Sequence, residues 1–367
     1  MKTKMKAAVL EKPNRLVVKQ VPVPEIGEDE VLIQVKYTGI CGTDWSIYTG
    51  KYSADKLPLI PGHEFSGTIV QLGKKARNLQ EGDPVTADIN MSCGTCFYCR
   101  KGNKLMCPEF TQLGIHTNGA FAEYVKAPWD LVHKLPANLD LLKGAFIEPT
   151  SCIIHSSKAM KIQIGSSVAI LGARLGLLHA ALARLCGAAP IIVVGQSRKR
   201  LEIAKRLGAD HVISADKGKD PVAAVKELTE GRGADYVIDS VGTPQTYEQA
   251  FRMVRPGGTV AAFGITGEKD TITVYPFDLV LGEKTVASSC AGMGNDWTDA
   301  ITLLQYGRVD PSPLFSMIVP LEELESALKE LRENNNLTKV FVSPEFSKRQ
   351  MLSQEGIPAE PGRSPYP

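Results

Sequence analysis

Neither sign of charge dominates this chain of 367 residues: 42 lysines and arginines stand against 40 aspartates and glutamates, a formal net charge of +2. No lysine- or arginine-rich block marks a nucleic-acid-binding surface. No apolar run is long enough to span a bilayer. The opening MKTKMKAAVLEKPNR is charged and lacks the apolar core of a signal peptide. No unit repeats with a period of about 20 to 50 residues. These absences point away from nucleic acid, membranes and solenoid architectures, and toward a cytoplasmic protein. The chain is 43% hydrophobic and 22% charged, the balance of a globular protein. Its length suits two domains of ordinary size.

The pattern changes once along the chain. The first 150 residues read as strands and turns, with β-branched runs such as EVLIQVKYTGI cut by proline and glycine. EPTSCIIHSSKAM, from Glu148, reads as a helix joining two domains. From Ser167 short apolar strands (SVAIL, PIIVVG, DHVIS, ADYVIDSVG, TVAAFGI) alternate with helical segments. That alternation predicts a doubly wound parallel sheet with helices on both faces. RPGG, Arg255 to Gly258, reads as the turn that ends a helix and re-enters the sheet. TKVFVSP is a late strand that returns to the first domain. The expected division is 1–150 with about 290–344, then about 151–289. A loose, proline-rich tail is expected over 345–367.

Eight cysteines invite a disulfide reading, but four of them, Cys93, Cys96, Cys99 and Cys107, fall within fifteen residues. In a chain without an export signal such clustering favours a metal. CGTCFYCRKGNKLMC supplies four thiolates, enough to close a tetrahedral zinc shell with no open position, so this zinc is expected to be structural. Cys152, Cys186 and Cys290 lack metal-type spacing and read as small core residues.

Other potential ligands are scattered. TGICGTDWS holds Cys41, Thr43 and Asp44, PGHEFSG holds His63 and Glu64, and FIEPTSC holds Glu148. Each alone has an ordinary structural reading: a core cysteine, a satisfied histidine, a helix-capping or ion-paired glutamate. One cysteine, one histidine and one carboxylate from separate loops also suit a zinc with an open coordination position. Taken in order, GICGTD, PGHEFSG, the four-cysteine lobe, GAFAEYV and EPTSC give a sequence that resembles the zinc-dependent medium-chain dehydrogenases, in particular their sorbitol (polyol) and threonine dehydrogenase branch, from about Lys6 to Pro344. The resemblance implies an α/β protein: a β-rich, GroES-like catalytic domain plus a Rossmann cofactor domain. It implies two zinc ions per chain, the catalytic one held by Cys41, His63 and a carboxylate. Glu148 takes the ligand position by motif, and Glu64 can ligate directly or by exchange. It further implies that zinc lowers the pKa of a bound alcohol, that Thr43 passes its proton on, and that a hydride goes to a nicotinamide. Many polyol and threonine relatives have histidine five residues after the zinc cysteine; this chain has Ser46. Relatives are homodimers or homotetramers. His116, Phe110, Trp45 and Trp297 are candidate pocket walls, and Cys290 a candidate neighbour of the nicotinamide.

The cofactor signal has a defect. VAILGARLGLL reads as strand, turn and helix, yet Gly172 and Gly176 are four apart rather than five, and the middle glycine of G-x-G-x-x-G is missing. Ala173, Arg174 and Leu175 fill the gap. The Ala173 Cβ is expected to intrude on the pyrophosphate and the Arg174 charge to meet it. The second strand ends at Gly195, followed by Gln196, Ser197 and Arg198, with no acid for the ribose hydroxyls of NAD. Gly195 leaves room, Ser197 can hydrogen-bond and Arg198 can meet a 2′-phosphate, so NADP is favoured over NAD. The leading reading is an oxidoreductase acting on a polyol or secondary alcohol. An L-threonine 3-dehydrogenase-like enzyme is the rival within that class. A zinc-stabilised binding protein with an impaired cofactor site is the rival outside it.

Overall fold

A computed structural model of the chain describes residues 2–215 and 220–352. It divides into two compact units.

The first unit comprises residues 2–155, 291–309 and 316–352. Its centre is the strand Glu30–Gly39, in which Val31, Leu32, Ile33 and Val35 are all buried. Glu64–Leu72 pairs antiparallel along one side of it, and Tyr124–Pro128 and Lys339–Ser343 pair with its two ends. Near-continuous burial makes this strand a core element rather than a half-wet one. Gly67 is required here: a Cβ would come within 2.1 Å of the Gln34 carbonyl oxygen across the strand pair. The described part of the expected tail is not loose. Gln350–Met351 forms a short strand against Phe315–Pro320, and Arg349 pairs with Glu323 and Glu330. Residues 353–367 lie outside the described set.

The second unit comprises residues 156–215, 220–290 and 310–315. Its sheet has six parallel strands among the described residues, in the spatial order His211–Ser214, Ile191–Gly195, Val168–Leu171, Ala234–Asp239, Val254–Ala262, Thr285–Ser288. Chain order thus runs outward in both directions from Val168–Leu171. That switch point is where such sheets bind ligands, outside the carboxyl ends of the strands. The strands Val168–Leu171 and Ile191–Gly195 are apolar and buried throughout, as expected of a parallel sheet covered on both faces. One expectation fails locally. The helix Pro244–Met253 stops at Met253, and Arg255 to Gly258 belong to the next strand, within a register shift against Ala234–Asp239, rather than to a separate turn. Gly257, at φ +71°, accommodates that irregularity.

The helix Ile147–Met160 runs through the boundary between the units, which falls after His155. Among the described residues no helix is long and apolar enough to cross a membrane.

Candidate active site and cofactor turn

Strand pairing brings the scattered ligands together. Gly39 lies opposite Glu64, and Thr38 opposite Phe65. Cys41 follows the end of one strand and His63 precedes the start of the other, so antiparallel register makes them neighbours. Cys41 Sγ, a His63 ring nitrogen and a Glu64 carboxylate oxygen all lie within 4.8 Å of one another. The PGHE turn permits this because Gly62 adopts φ +99°, and a Cβ there would meet the Phe121 backbone nitrogen at 2.8 Å.

Asp44 orders this cluster. Its Oδ2 accepts the Cys41 N–H at 2.8 Å at the start of the helix Gly42–Tyr48. Its Oδ1 stands 3.3 Å from His63 Nδ1, which leaves Nε2 as the ring nitrogen for a metal. Burial alone would push the His63 imidazole down; the Asp44 carboxylate, helped by Cys41, instead holds it well above its ordinary 6.5. Asp44 and Cys41 thus favour a positive charge at this place, which a zinc ion on the neutral imidazole would supply instead of the proton. Thr43 Oγ1 lies 3.7 Å from Cys41 Sγ. Ser46 Oγ is 3.5 Å from the Gly42 carbonyl, within its own helix.

The two carboxylates are restrained differently. Glu64 is buried in an ion pair with Lys339, whose Nζ also donates to the Ile40 carbonyl at 3.0 Å and sits over the Phe146 ring. Glu148, in the first turn of Ile147–Met160, stands outside the 4.8 Å set. Burial pushes its carboxyl up to about 7, with Glu64 adding to the shift and His63 opposing it. Its Oε1 accepts from Cys152 Sγ at 3.3 Å. Sequence reasoning placed Lys339 only in a strand. The available signal was a lysine opening the fully buried run KVFVS, which demands an acidic partner.

Cys93, Cys96, Cys99 and Cys107 form the second donor set, again within 4.8 Å and without disulfides. The Cys96–Cys99 and Cys93–Cys107 Sγ separations are 3.5 and 3.6 Å. Two sulfurs on one tetrahedral zinc would stand about 3.8 Å apart, so the lobe is shaped for the ion. Backbone N–H groups of Thr95 and Cys96 hold the Cys93 thiol down at about 6, toward the thiolate that a metal needs.

Other assignments change. Cys290 is exposed and Cys152 and Cys186 half-buried, so none is a simple core cysteine. Trp297 is fully buried, stacked on His133 and donating to the Gly292 carbonyl; it is core, not pocket wall. Trp45 packs on Tyr48. His116 lies between the Tyr52 and Phe110 rings and accepts the Gln112 N–H.

In the second unit, Gly172 (φ +101°) and Gly176 face Ser240, at the end of the next strand. A Cβ on either would come within 2.9 Å of the Ser240 Oγ, which donates to the Leu171 carbonyl. The first and third glycine positions thus keep their packing reason. The Ala173 methyl does not project as expected: it is buried against Gly195, where an added Cβ would stand 2.8 Å from it. Ser197 caps the helix Arg198–Arg206 by accepting the Arg200 N–H. Arg198 is exposed, whereas Arg200 is buried; burial, with the Arg174 charge nearby, lowers its guanidinium to about 10.

A unit built on a parallel sheet with a glycine turn at its switch point, in one chain with a β-rich unit carrying two metal-type donor sets, defines a zinc dehydrogenase architecture. Residues 27–137 match the alcohol dehydrogenase GroES-like domain, and residues 175–306 the zinc-binding dehydrogenase domain. The chain is 35% identical to an L-threonine 3-dehydrogenase of Bacillus velezensis, over 93% of this chain and 99% of that one. It is 34% identical to a sorbitol dehydrogenase of Bacillus subtilis, over 93% and 97%. A solved structure from Sinorhizobium meliloti 1021, described as a zinc-binding dehydrogenase bound to NADP, superposes with a TM-score of 0.88 at 33% identity, covering 94% of this chain and 100% of that one. The chain belongs to the zinc-binding medium-chain alcohol and polyol dehydrogenase family, and is an enzyme of that family. The reading as a non-enzymatic binding protein is set aside.

Proposed function

We propose that the protein oxidises a polyol or secondary alcohol, or reduces the corresponding ketone, by hydride transfer with NAD(P), NADP being preferred. The observation that carries this reading is the convergence of Cys41, His63 and Glu64, with Glu148 beside them. A zinc ion bound there would supply the Lewis acidity that lowers the pKa of an alcohol hydroxyl, and a nicotinamide would supply the hydride acceptor. Cys41 and His63 hold the metal, and Asp44 fixes the histidine tautomer by taking Nδ1. The Thr43 hydroxyl, beside Cys41, accepts the substrate proton and hands it to solvent, since Ser46 is turned toward its own helix backbone. The four-cysteine lobe would hold a second, structural zinc through Cys93, Cys96, Cys99 and Cys107.

On the cofactor side, Gly172, Ala173, Arg174, Leu175 and Gly176 form the turn that meets the pyrophosphate. Gly195, Gln196, Ser197 and Arg198 form the edge that meets the adenosine ribose. The absence of an acid at Gly195 supports NADP. The active protein is a homo-oligomer. Similarity to a threonine and to a sorbitol dehydrogenase at nearly equal identity leaves both substrate classes in the test. Metal analysis combined with kcat/KM for polyols, L-threonine and secondary alcohols, each with NADP and NAD, decides. Two zinc ions and a higher kcat/KM with NADP on a polyol are expected. A preference for NAD, or for L-threonine, would overturn the corresponding part.

A further inference from the structure

Cys152 faces the site and has no part in the chemistry above. It follows Glu148 by one helical turn, so the two side chains share a helix face. Its Sγ donates to Glu148 Oε1 at 3.3 Å and accepts the Gly292 N–H at 3.4 Å. That amide is firmly placed. The Gly292 carbonyl takes hydrogen bonds from Asn90 Nδ2 at 2.9 Å and Trp297 Nε1 at 3.0 Å, and a Cβ on Gly292 would lie 2.3 Å from the Ser151 carbonyl carbon. The thiol is therefore gripped from behind by a fixed backbone group, while its proton points at a carboxylate. That carboxylate borders the Cys41–His63–Glu64 set without belonging to it.

We propose that Cys152 is a positioning residue for Glu148: its thiol holds the carboxylate by Oε1 beside the metal-binding cluster, and this bond sets whether Glu64 or Glu148 completes the metal's shell. The inference rests on the metal-site reading given under the proposed function. Each carboxylate then has its own restraint, Lys339 for Glu64 and Cys152 for Glu148. The two restraints are unequal. A buried ammonium ion pair is strong, whereas a thiol is a weak donor. Glu148 is thus the carboxylate that exchanges readily, and Cys152 returns it to its resting place.

The test uses the full-length protein loaded with Co²⁺. Its absorption is read as the difference from the Cys41→Ala protein, in which the four-cysteine lobe alone contributes thiolate bands. Release of the metal to a chelator is followed in parallel. Cys152→Ala is expected to shift the d–d bands as the freed carboxylate enters the shell, to slow metal release several-fold, and to lower kcat with little change in KM for the cofactor. Cys152→Ser, which restores a donor, is expected to return both the bands and the release rate toward wild type. Unchanged bands and release in Cys152→Ala would reduce Cys152 to packing and overturn the proposal. Loss of thiolate charge-transfer intensity in Cys152→Ala would make Cys152 a ligand and overturn it equally. A Cys41→Ala protein with the wild-type cobalt spectrum would remove the metal-site reading itself, and the positioning role with it.

Discussion

Cys93, Cys96, Cys99 and Cys107 fall within fifteen consecutive positions, whereas Cys41 and the adjacent pair His63 and Glu64 come from the ends of two different strands, more than twenty residues apart. The lobe closes on itself, and its sulfurs meet through local turns such as Cys96 N–H to Cys93 Sγ. The other set exists only because the strand Glu30–Gly39 pairs with Glu64–Leu72 in one register. A slip of one residue would turn the side chains of Glu64–Leu72 to the opposite face and dissolve that site while leaving the lobe intact. A local cluster can serve as a staple, since its ligands need only a loop. A dispersed cluster can report on the fold and keep a position open, since its ligands are held by different elements.

The contrast can be broken at its sharpest point by removing one ligand from each set. Cys41→Ala or His63→Ala should lower turnover on the order of 10³-fold or more, with one zinc per chain retained in the lobe by elemental analysis. Persistent turnover in metal-stripped protein would end the zinc mechanism. Cys96→Ala or Cys107→Ala should do the reverse. The lobe zinc is lost and stability to denaturant falls on the order of several kcal/mol, while turnover per folded molecule is largely kept. Equal damage to both properties in both variants would mean that the two clusters are not separable.

A smaller effect sharpens the same comparison in the second unit. Gly195 looks like room left for a phosphate, yet its nearest neighbour is the Ala173 methyl. Gly195→Asp, the substitution that should favour NAD, is expected to cost about 1–3 kcal/mol from overpacking. Adding Ala173→Gly should recover most of that, and the double variant should shift kcat/KM from NADP toward NAD. Full stability of Gly195→Asp alone, measured by urea unfolding, would show that the close contact relaxes freely.

The smallest expected effect concerns His179, buried on the helix Gly176–Leu185 with its ring edge-on to Phe263. Burial lowers its imidazole to about 3, against an ordinary 6.5. A depressed folded-state value means that the unfolded chain takes up the proton first. The contribution to stability is present above about pH 6.5 and is lost as pH falls from there toward 3, amounting to roughly 1 kcal/mol by pH 5.5. His179→Leu should flatten that limb of the stability curve, as seen in thermal unfolding at stepped pH. An unchanged slope would mean that other groups dominate it.

Much of the architecture was legible from residue order. Strand–helix alternation after Ser167 reports a parallel sheet because period and burial are local properties. The same holds for Cys93 to Cys107. Other features were not legible because they depend on what packs against what. The Ala173 methyl was expected to intrude on a phosphate and instead fills the space beside Gly195. Trp297 was a pocket candidate and is core. Of the arginines in SRKR, Arg198 is exposed and Arg200, two positions on, is buried. A helix turns about 100° per residue, so two positions decide which side of it an arginine occupies.

By itself, the sequence determined the two kinds of domain, the four-thiolate lobe and the candidate ligands Cys41, His63, Glu64 and Glu148. Residue chemistry and short spacings carry that information. Only the tertiary structure decided that Glu64 joins Cys41 and His63 while Glu148 stands aside, and that Asp44 takes one nitrogen of the histidine. It alone paired Lys339 with Glu64 and Cys152 with Glu148. These are contacts between side chains far apart in the chain, set by strand register and helix placement, and no local pattern encodes them.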